Sequence, residues 1–307
     1  MRVLVTGGAG FIGSHLVAFL AERGFKVRVL DNFSRSSLNL EDLGGVEVVI
    51  GDVRDYDVVS KATRGVDVVV HLAALTDASE SLEIPGEYLE VNVGGTLNVC
   101  RAARGVESLI YASSAAVYGD APVPVSEESP TRPISPYGAS KLAGEAYVWA
   151  YSRVNGYKPV VLRLFNVYGP RQSRGYAGVI SEFVRRAVRG LDLIVYGDGL
   201  QTRDFIHVRD VVELIAGIVE GGGVSGVYNI GSGAPVRIID LAHIVVRVAG
   251  STSRIVHGPP RPGDIRYSQA DISRAARELG FKPRVALEDG LRELVELERL
   301  KLEASGS

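Results

Sequence analysis

Tyr137 and Lys141 stand four residues apart in the segment Ser-Pro-Tyr-Gly-Ala-Ser-Lys, 135–141. On a helix that spacing puts both side chains on one face. An ammonium beside a phenol favours the phenolate and draws its pKa below the ordinary ~10. The pair can then act as a general base near neutrality. Ser114 ends the apolar run 109–112 plus Ser113, where a hydroxyl can relay a proton or hold a reacting oxygen. Each feature alone has a plainer reading: a surface lysine, a half-buried tyrosine, a serine capping a loop.

Gly7, Gly10 and Gly13 raise the chemical reading. They lie between a short buried strand, 2–6, and a helical pattern that continues through Arg23. Gly7 permits the tight turn, Gly10 lets backbone approach a pyrophosphate, and Gly13 lets the helix pack close to the sheet. The free N–H groups around Phe11 and Ile12 and the positive end of the helix dipole would face the phosphates. A second strand, 26–30, ends in Asp31, where an acceptor is wanted for the adenosine ribose hydroxyls. That carboxylate repels a 2′-phosphate, so NAD is expected over NADP; Arg28 and Arg35 nearby pull the other way.

These residues need a frame. Short β-rich runs at 46–50, 66–72, 108–112 and 159–164 alternate with helical stretches at 56–64, 88–104 and 136–154. The alternation predicts an α/β fold, a Rossmann-type doubly wound parallel sheet. A strand at 226–231, fed by a helix over 208–220, should extend the same sheet. After Phe165 loops lengthen, and a smaller interleaved α/β substrate domain is expected. The predicted division is 1–165 with 205–232 for the cofactor, and 166–204 with 233–307 for the substrate. Leu287, Leu291, Leu294, Leu297 and Leu300 predict a core-facing stripe on a terminal helix, 287–302, followed by a frayed end at 304–307.

Composition excludes several classes. The 307 residues are 46% hydrophobic and 23% charged, with a net charge of −2, as in ordinary globular chains. Neither a nucleic-acid partner nor a membrane surface is expected from that balance. Cys100 is the single cysteine, so no internal disulfide forms, and the five scattered histidines do not suggest a metal site. No apolar run approaches ~20 residues. The first strand starts at once after Met1, which is read as lacking a leader, and a cytoplasmic enzyme is expected. Only six of the 34 basic residues are Lys, and Cys and Met occur once each, which predicts a thermophilic source.

The chain resembles the extended short-chain dehydrogenase/reductases, and among them the UDP-galactose 4-epimerases. The resemblance rests on Thr6–Gly13, Asp31-Asn32, Gly51–Val53, His71–Ala74, Asn92–Thr96, Ser113–Gly119, Tyr137–Lys141, Arg163–Gly169, Arg203–Val208 and Arg261–Asp264. It implies a catalytic set of Ser114, Tyr137 and Lys141. For the cofactor it implies Asn32, Ser34 and Arg35 beside Asp31, and Asp52 and Val53 near the adenine. Leu72, Ala73 and Ala74 would lie by the phosphates, with Asn92 and Ser113 nearer the reacting centre. For a UDP-sugar it implies Asn166, Val179, Arg203, Arg261 and Asp264, the arginines forking onto the diphosphate. The implied reaction is transient oxidation at the sugar 4-hydroxyl with tightly held NAD, inverting that centre with no net redox change. A homodimer is also implied, through helices matching 88–104 and 136–154, with Trp149 a candidate contact.

Within that superfamily the rivals are other UDP-sugar 4-epimerases, acting on N-acetylhexosamines or uronic acids, then 4,6-dehydratases, decarboxylases and non-catalytic NAD sensors. Dehydratases carry acidic residues after the catalytic hydroxyl; Ala115 and Ala116 stand there in this chain. Two positions depart from the bacterial epimerases. Thr76 occupies a lysine position, and Ser268 falls where a large aromatic restricts the sugar pocket, which predicts room for an N-acetyl group.

Overall fold

A computed structural model describes residues 1–36, 38, 40–172, 178–260 and 265–305. Twelve strands run in chain order among them: β1 (Arg2–Thr6), β2 (Lys26–Asp31), β3 (Glu47–Ile50), β4 (Val68–His71), β5 (Ser108–Ser114), β6 (Lys158–Leu164), β7 (Asn166–Tyr168), β8 (Leu193–Tyr196), β9 (Thr202–His207), β10 (Gly226–Ile230), β11 (Pro235–Arg237) and β12 (Ile255–Gly258). The helices are α1 (Phe11–Glu22), α2 (Tyr56–Ala62), α3 (Glu80–Glu83), α4 (Pro85–Tyr88), α5 (Gly95–Ala102), α6 (Pro136–Asn155), α7 (Val179–Val188), α8 (Val208–Gly221), α9 (Ile238–Val248), α10 (Ser273–Leu279) and α11 (Leu287–Ser305).

Val3, Leu4 and Val5 are fully buried, because β1 lies inside a sheet covered on both faces, where strands read as unbroken apolar runs. That sheet has seven parallel strands in the order β10-β6-β5-β4-β1-β2-β3. Leu16 and Leu20 of α1 and Val211 and Ile215 of α8 pack on one face. Val59 of α2, Val99 of α5 and Val148 of α6 pack on the other. This is the doubly wound sheet that the alternation predicts, with 226–230 as its added strand. The chain returns from the β3 edge to β4, so the strand order reverses between β1 and β4. A ligand crevice opens outside the carboxyl ends at such a point.

Beyond the sheet, β11-β9-β7 and β12-β8 form two small sheets. Their core gathers Phe183 of α7, Leu241 of α9 and Leu291 of α11. β9 spans Thr202–His207 and so crosses the 204/205 division expected from sequence. The terminal helix extends to Ser305, with Leu291 and Val295 buried, but Leu300 of the expected stripe is 60% exposed. The helix has passed the edge of its core by that point. Of the terminal segment expected to fray, 306–307 lie outside the described residues, and Ala304 is helical.

The continuous helix expected over 88–104 is instead α4, a π-helical stretch at Leu89–Gly94, then α5. Asn92 explains the break. Its buried amide donates to the Leu75 carbonyl and the Ser140 hydroxyl and accepts from the Leu75 N–H. The wider turn aims it inward; such π turns gather near functional sites.

Candidate active site

The βα turn after β1 is a cradle that no side chain can enter. Gly7 has φ +71°, and a Cβ there would stand 2.7 Å from the Ala73 backbone nitrogen. A Cβ on Gly13 would stand 2.0 Å from the Gly7 carbonyl oxygen. Helix α1 begins with no side-chain cap and no acid in its first turn, so its free N–H groups and positive end meet whatever fills the turn. They open on a cavity of about 730 Å³ whose wall also holds Asp31, Ser114 and Tyr137. A dinucleotide diphosphate fits this uncapped, positively polarised cradle.

The next stretch of wall is built by the end of β2. Asp31 accepts from the Ala9 N–H at 2.9 Å and the Phe33 N–H at 2.8 Å, which aims the carboxylate across the turn. Asn32 donates to Asp52 at 2.8 Å, and the hydrogen-bonded Arg54 guanidinium holds the Asp52 carboxyl down to about 2. Phe11, Ile12, Ser34, Val53, Leu72, Ala73, Ala74 and Ser113 line the cavity. Asn92 does not reach the wall; it braces the 75 loop from behind. Arg28 turns away, bonding the Ala62 and Arg64 carbonyls, whereas Arg35 stays on the wall and pairs with Glu80.

Ser135 caps α6 by accepting from the Gly138 N–H, with Pro136 in the first turn. Gly138 lets the helix approach the Ala116 carbonyl, which a Cβ would meet at 2.5 Å. That contact sets Tyr137 beside Ser114 at the end of β5, and both line the cavity. The Ser114 oxygen also accepts from the Ala116 N–H. Lys141 is nearly fully buried one turn on, donating to the Ala112 carbonyl at 2.8 Å.

The electrostatics differ from the expectation. Burial pushes the Tyr137 phenol up, against the downward pull of the Ser114 hydrogen bond. Burial also pushes Lys141 down to about 7, against the upward pull of Glu145. In the protein alone, desolvation of each charged form outweighs the help from Ser114 and from Glu145.

Sequence reasoning missed the support beneath. Glu145 accepts two bonds from Arg163 and one from Ser113, and Arg163 donates to the Tyr118 hydroxyl, all buried. The signal was present: Glu145 falls one further turn along the face of Tyr137 and Lys141. On the substrate side Asn166 and Arg203 line the cavity; Asn166 donates to the Asp204 carbonyl, and Arg203 donates to the Thr202 and Ile265 carbonyls. Val179 packs instead against the small-sheet core, because the start of α7 turns it there. Arg261 and Asp264 lie outside the described residues. Thr76 and Ser268 are on the wall, as are Gln172 and Tyr267, which sequence did not single out. His71 is buried between Thr6 and Thr96 hydroxyls, a structural role. Among the described residues, no group of His, Cys, Asp or Glu is placed to hold a metal, and no helix is long and apolar enough to cross a membrane.

Sheet, cradle and tyrosine–lysine face define one class, and comparison with known proteins agrees. The chain belongs to the NAD dependent epimerase/dehydratase family, whose profile matches residues 3–231. It is similar to the UDP-glucose 4-epimerase of Thermotoga maritima, solved with UDP-glucose, at 36% identity over 98% of this chain and 100% of that one, TM-score 0.94. It is also similar to the Thermus thermophilus UDP-glucose 4-epimerase solved with NAD, at 40% identity over 97% and 99%, TM-score 0.90. A dTDP-glucose 4,6-dehydratase of Streptomyces niveus is 38% identical over 96% of this chain and 92% of its own length.

Proposed function

We propose that the protein is a UDP-galactose 4-epimerase, interconverting UDP-galactose and UDP-glucose with bound NAD. One observation carries this choice over a dehydratase of similar identity. The wall beside the Ser114–Tyr137 pair continues as Ala115 and Ala116, and neither can carry the extra proton that loss of water requires.

Bound NAD supplies a hydride acceptor and donor that ends each cycle unchanged. Tyr137 takes the proton of the sugar 4-hydroxyl and later returns it, and Ser114 holds that oxygen through the change. Lys141 supplies positive charge one turn behind the phenol. Asn166 and Arg203, with Arg261 and Asp264, serve the UDP end in this reading, which clamps the nucleotide while the sugar stays free to present either face. Residues 1–165 and 205–232 form the NAD unit and the remainder the sugar-nucleotide unit.

A UDP-sugar panel tests the proposal. UDP-galactose should yield UDP-glucose, and dTDP-glucose should yield no 4-keto-6-deoxy product. The reverse pattern would replace epimerase by dehydratase. A second reading has its own observation: Ser268 lies on the cavity wall, so UDP-GlcNAc should also turn over, and its complete rejection would remove that reading. The protein acts as a cytoplasmic homodimer in the same proposal, meeting through the outer face of α6 and the segment before α5, where Leu89 and Val154 are exposed. Trp149 already packs on the sheet core. Light scattering at micromolar concentration should give twice the chain mass.

A further inference from the structure

Arg35 and Glu80 come from opposite sides of the cofactor turn. Arg35 follows β2 and Glu80 opens α3, after β4. β1 lies between those strands, paired with β2 on one side and β4 on the other. A link from Arg35 to Glu80 therefore crosses above the carboxyl end of β1, over the glycine turn and the N-terminus of α1.

The link is well made. Arg35 donates through both terminal nitrogens to the two Glu80 oxygens, at 2.8 and 3.0 Å. Such forked pairs are the strong, geometrically selective ones. Both side chains are about three-quarters covered. Glu80 is itself held: its oxygen accepts from the Tyr88 hydroxyl at 2.8 Å, and the Asp77 side chain accepts from its N–H at 2.9 Å. Tyr88 is fully buried, receives the Asp77 N–H, and stands edge-on to the Tyr137 ring at 6.3 Å. One continuous set of contacts thus runs from the adenosine wall to the proposed base.

We propose that Arg35, Glu80 and Tyr88 form a strap across the dinucleotide cleft that sets how long the cofactor stays bound. Arg35 lines the cavity wall, and a diphosphate seated in the glycine turn would lie beneath the crossing, so the pair would have to part before it could leave. The ligand class is any dinucleotide seated in the glycine turn. The inference rests on NAD occupying the cleft and not on the identity of the sugar, so failure of the UDP-sugar panel leaves it standing.

The experiment follows release of NAD from purified holoprotein by chasing with excess unlabelled NAD after loading with radiolabelled NAD, in 0.05 and 1 M salt. Glu80→Gln, Arg35→Met and Tyr88→Phe should each release NAD at least threefold faster than the parent at low salt. High salt should speed the parent and leave Glu80→Gln nearly unchanged, because an ion pair is screened and its neutral replacement is not. The double variant Arg35→Met/Glu80→Gln should be no faster than the faster single variant. Release from Glu80→Gln and Arg35→Met less than threefold faster, or single effects that multiply in the double variant, would overturn the strap. Circular dichroism and the equilibrium NAD content of each variant separate strap loss from misfolding.

Discussion

In the proposed reaction Tyr137 meets two opposed demands: it must lose a proton, and it is half-buried. The structure answers by pairing it with Ser114 and placing Lys141 a turn behind. Tyr137→Phe should therefore lower kcat by about two to four orders of magnitude, the range of a lost general base, while the protein keeps its NAD. Turnover within tenfold of the parent would remove Tyr137 from the base role. Lys141 carries a stability consequence of known sign. Its folded pKa of about 7 lies well below the ~10.4 of an unfolded lysine. Between those values the unfolded chain binds the extra proton, so stability contributed by this group rises with pH from about 7 toward 10 and is lowest below 7. Cofactor-free Lys141→Met should show a flatter stability between pH 7 and 9.5 by urea denaturation than the parent. Equal slopes would contradict the burial that depresses the lysine.

At the scale of elements, the β1–α1 turn is the most constrained piece. Gly13→Ala would drive a methyl into the Gly7 carbonyl. The turn would have to open, at an expected cost of about 1–3 kcal/mol and a large loss of NAD affinity. Differential scanning calorimetry and NAD content after gel filtration check both. The same turn was readable from sequence because its demands are local: three glycines, a strand before, a helix after. The break at Leu89–Gly94 was not. Its cause is the Asn92 amide serving Leu75 and Ser140, from segments 17 and 48 residues away, and helical periodicity carries no trace of such partners. The α6 face was readable in part, since Tyr137 and Lys141 repeat with the helix. The descent of that helix onto Ala116 was not, because it depends on a loop in another segment.

Across the molecule, segments far apart in sequence are joined at Asp204. Its fully buried carboxylate accepts from the backbone N–H groups of Ser232, Gly233 and Ala270. It thereby ties β9 to the loop after β10 and to the segment beside the substrate wall. Asp204→Ala strands three backbone donors, one buried and two part-buried, and a buried unmet donor costs about 1–3 kcal/mol, so the variant should lose about 1–3 kcal/mol or more by urea denaturation. A loss under 1 kcal/mol would show that these segments hold together without it. The proposed boundary between 204 and 205 falls inside β9, and this clamp spans it.

From the amino-acid order alone came the parallel sheet, the cofactor turn, Asp31 and the spacing of Tyr137 and Lys141. Each depends on neighbours a few residues away, where periodicity and glycine sterics act directly. Folding in three dimensions decided the rest: the Arg35–Glu80 crossing, the Glu145–Arg163 support, Asn92 and Val179 turned from the cavity, and the direction in which Tyr137 and Lys141 titrate. Those features depend on which distant segments meet and on how much water their meeting removes, and desolvation is a property of the whole packed surround.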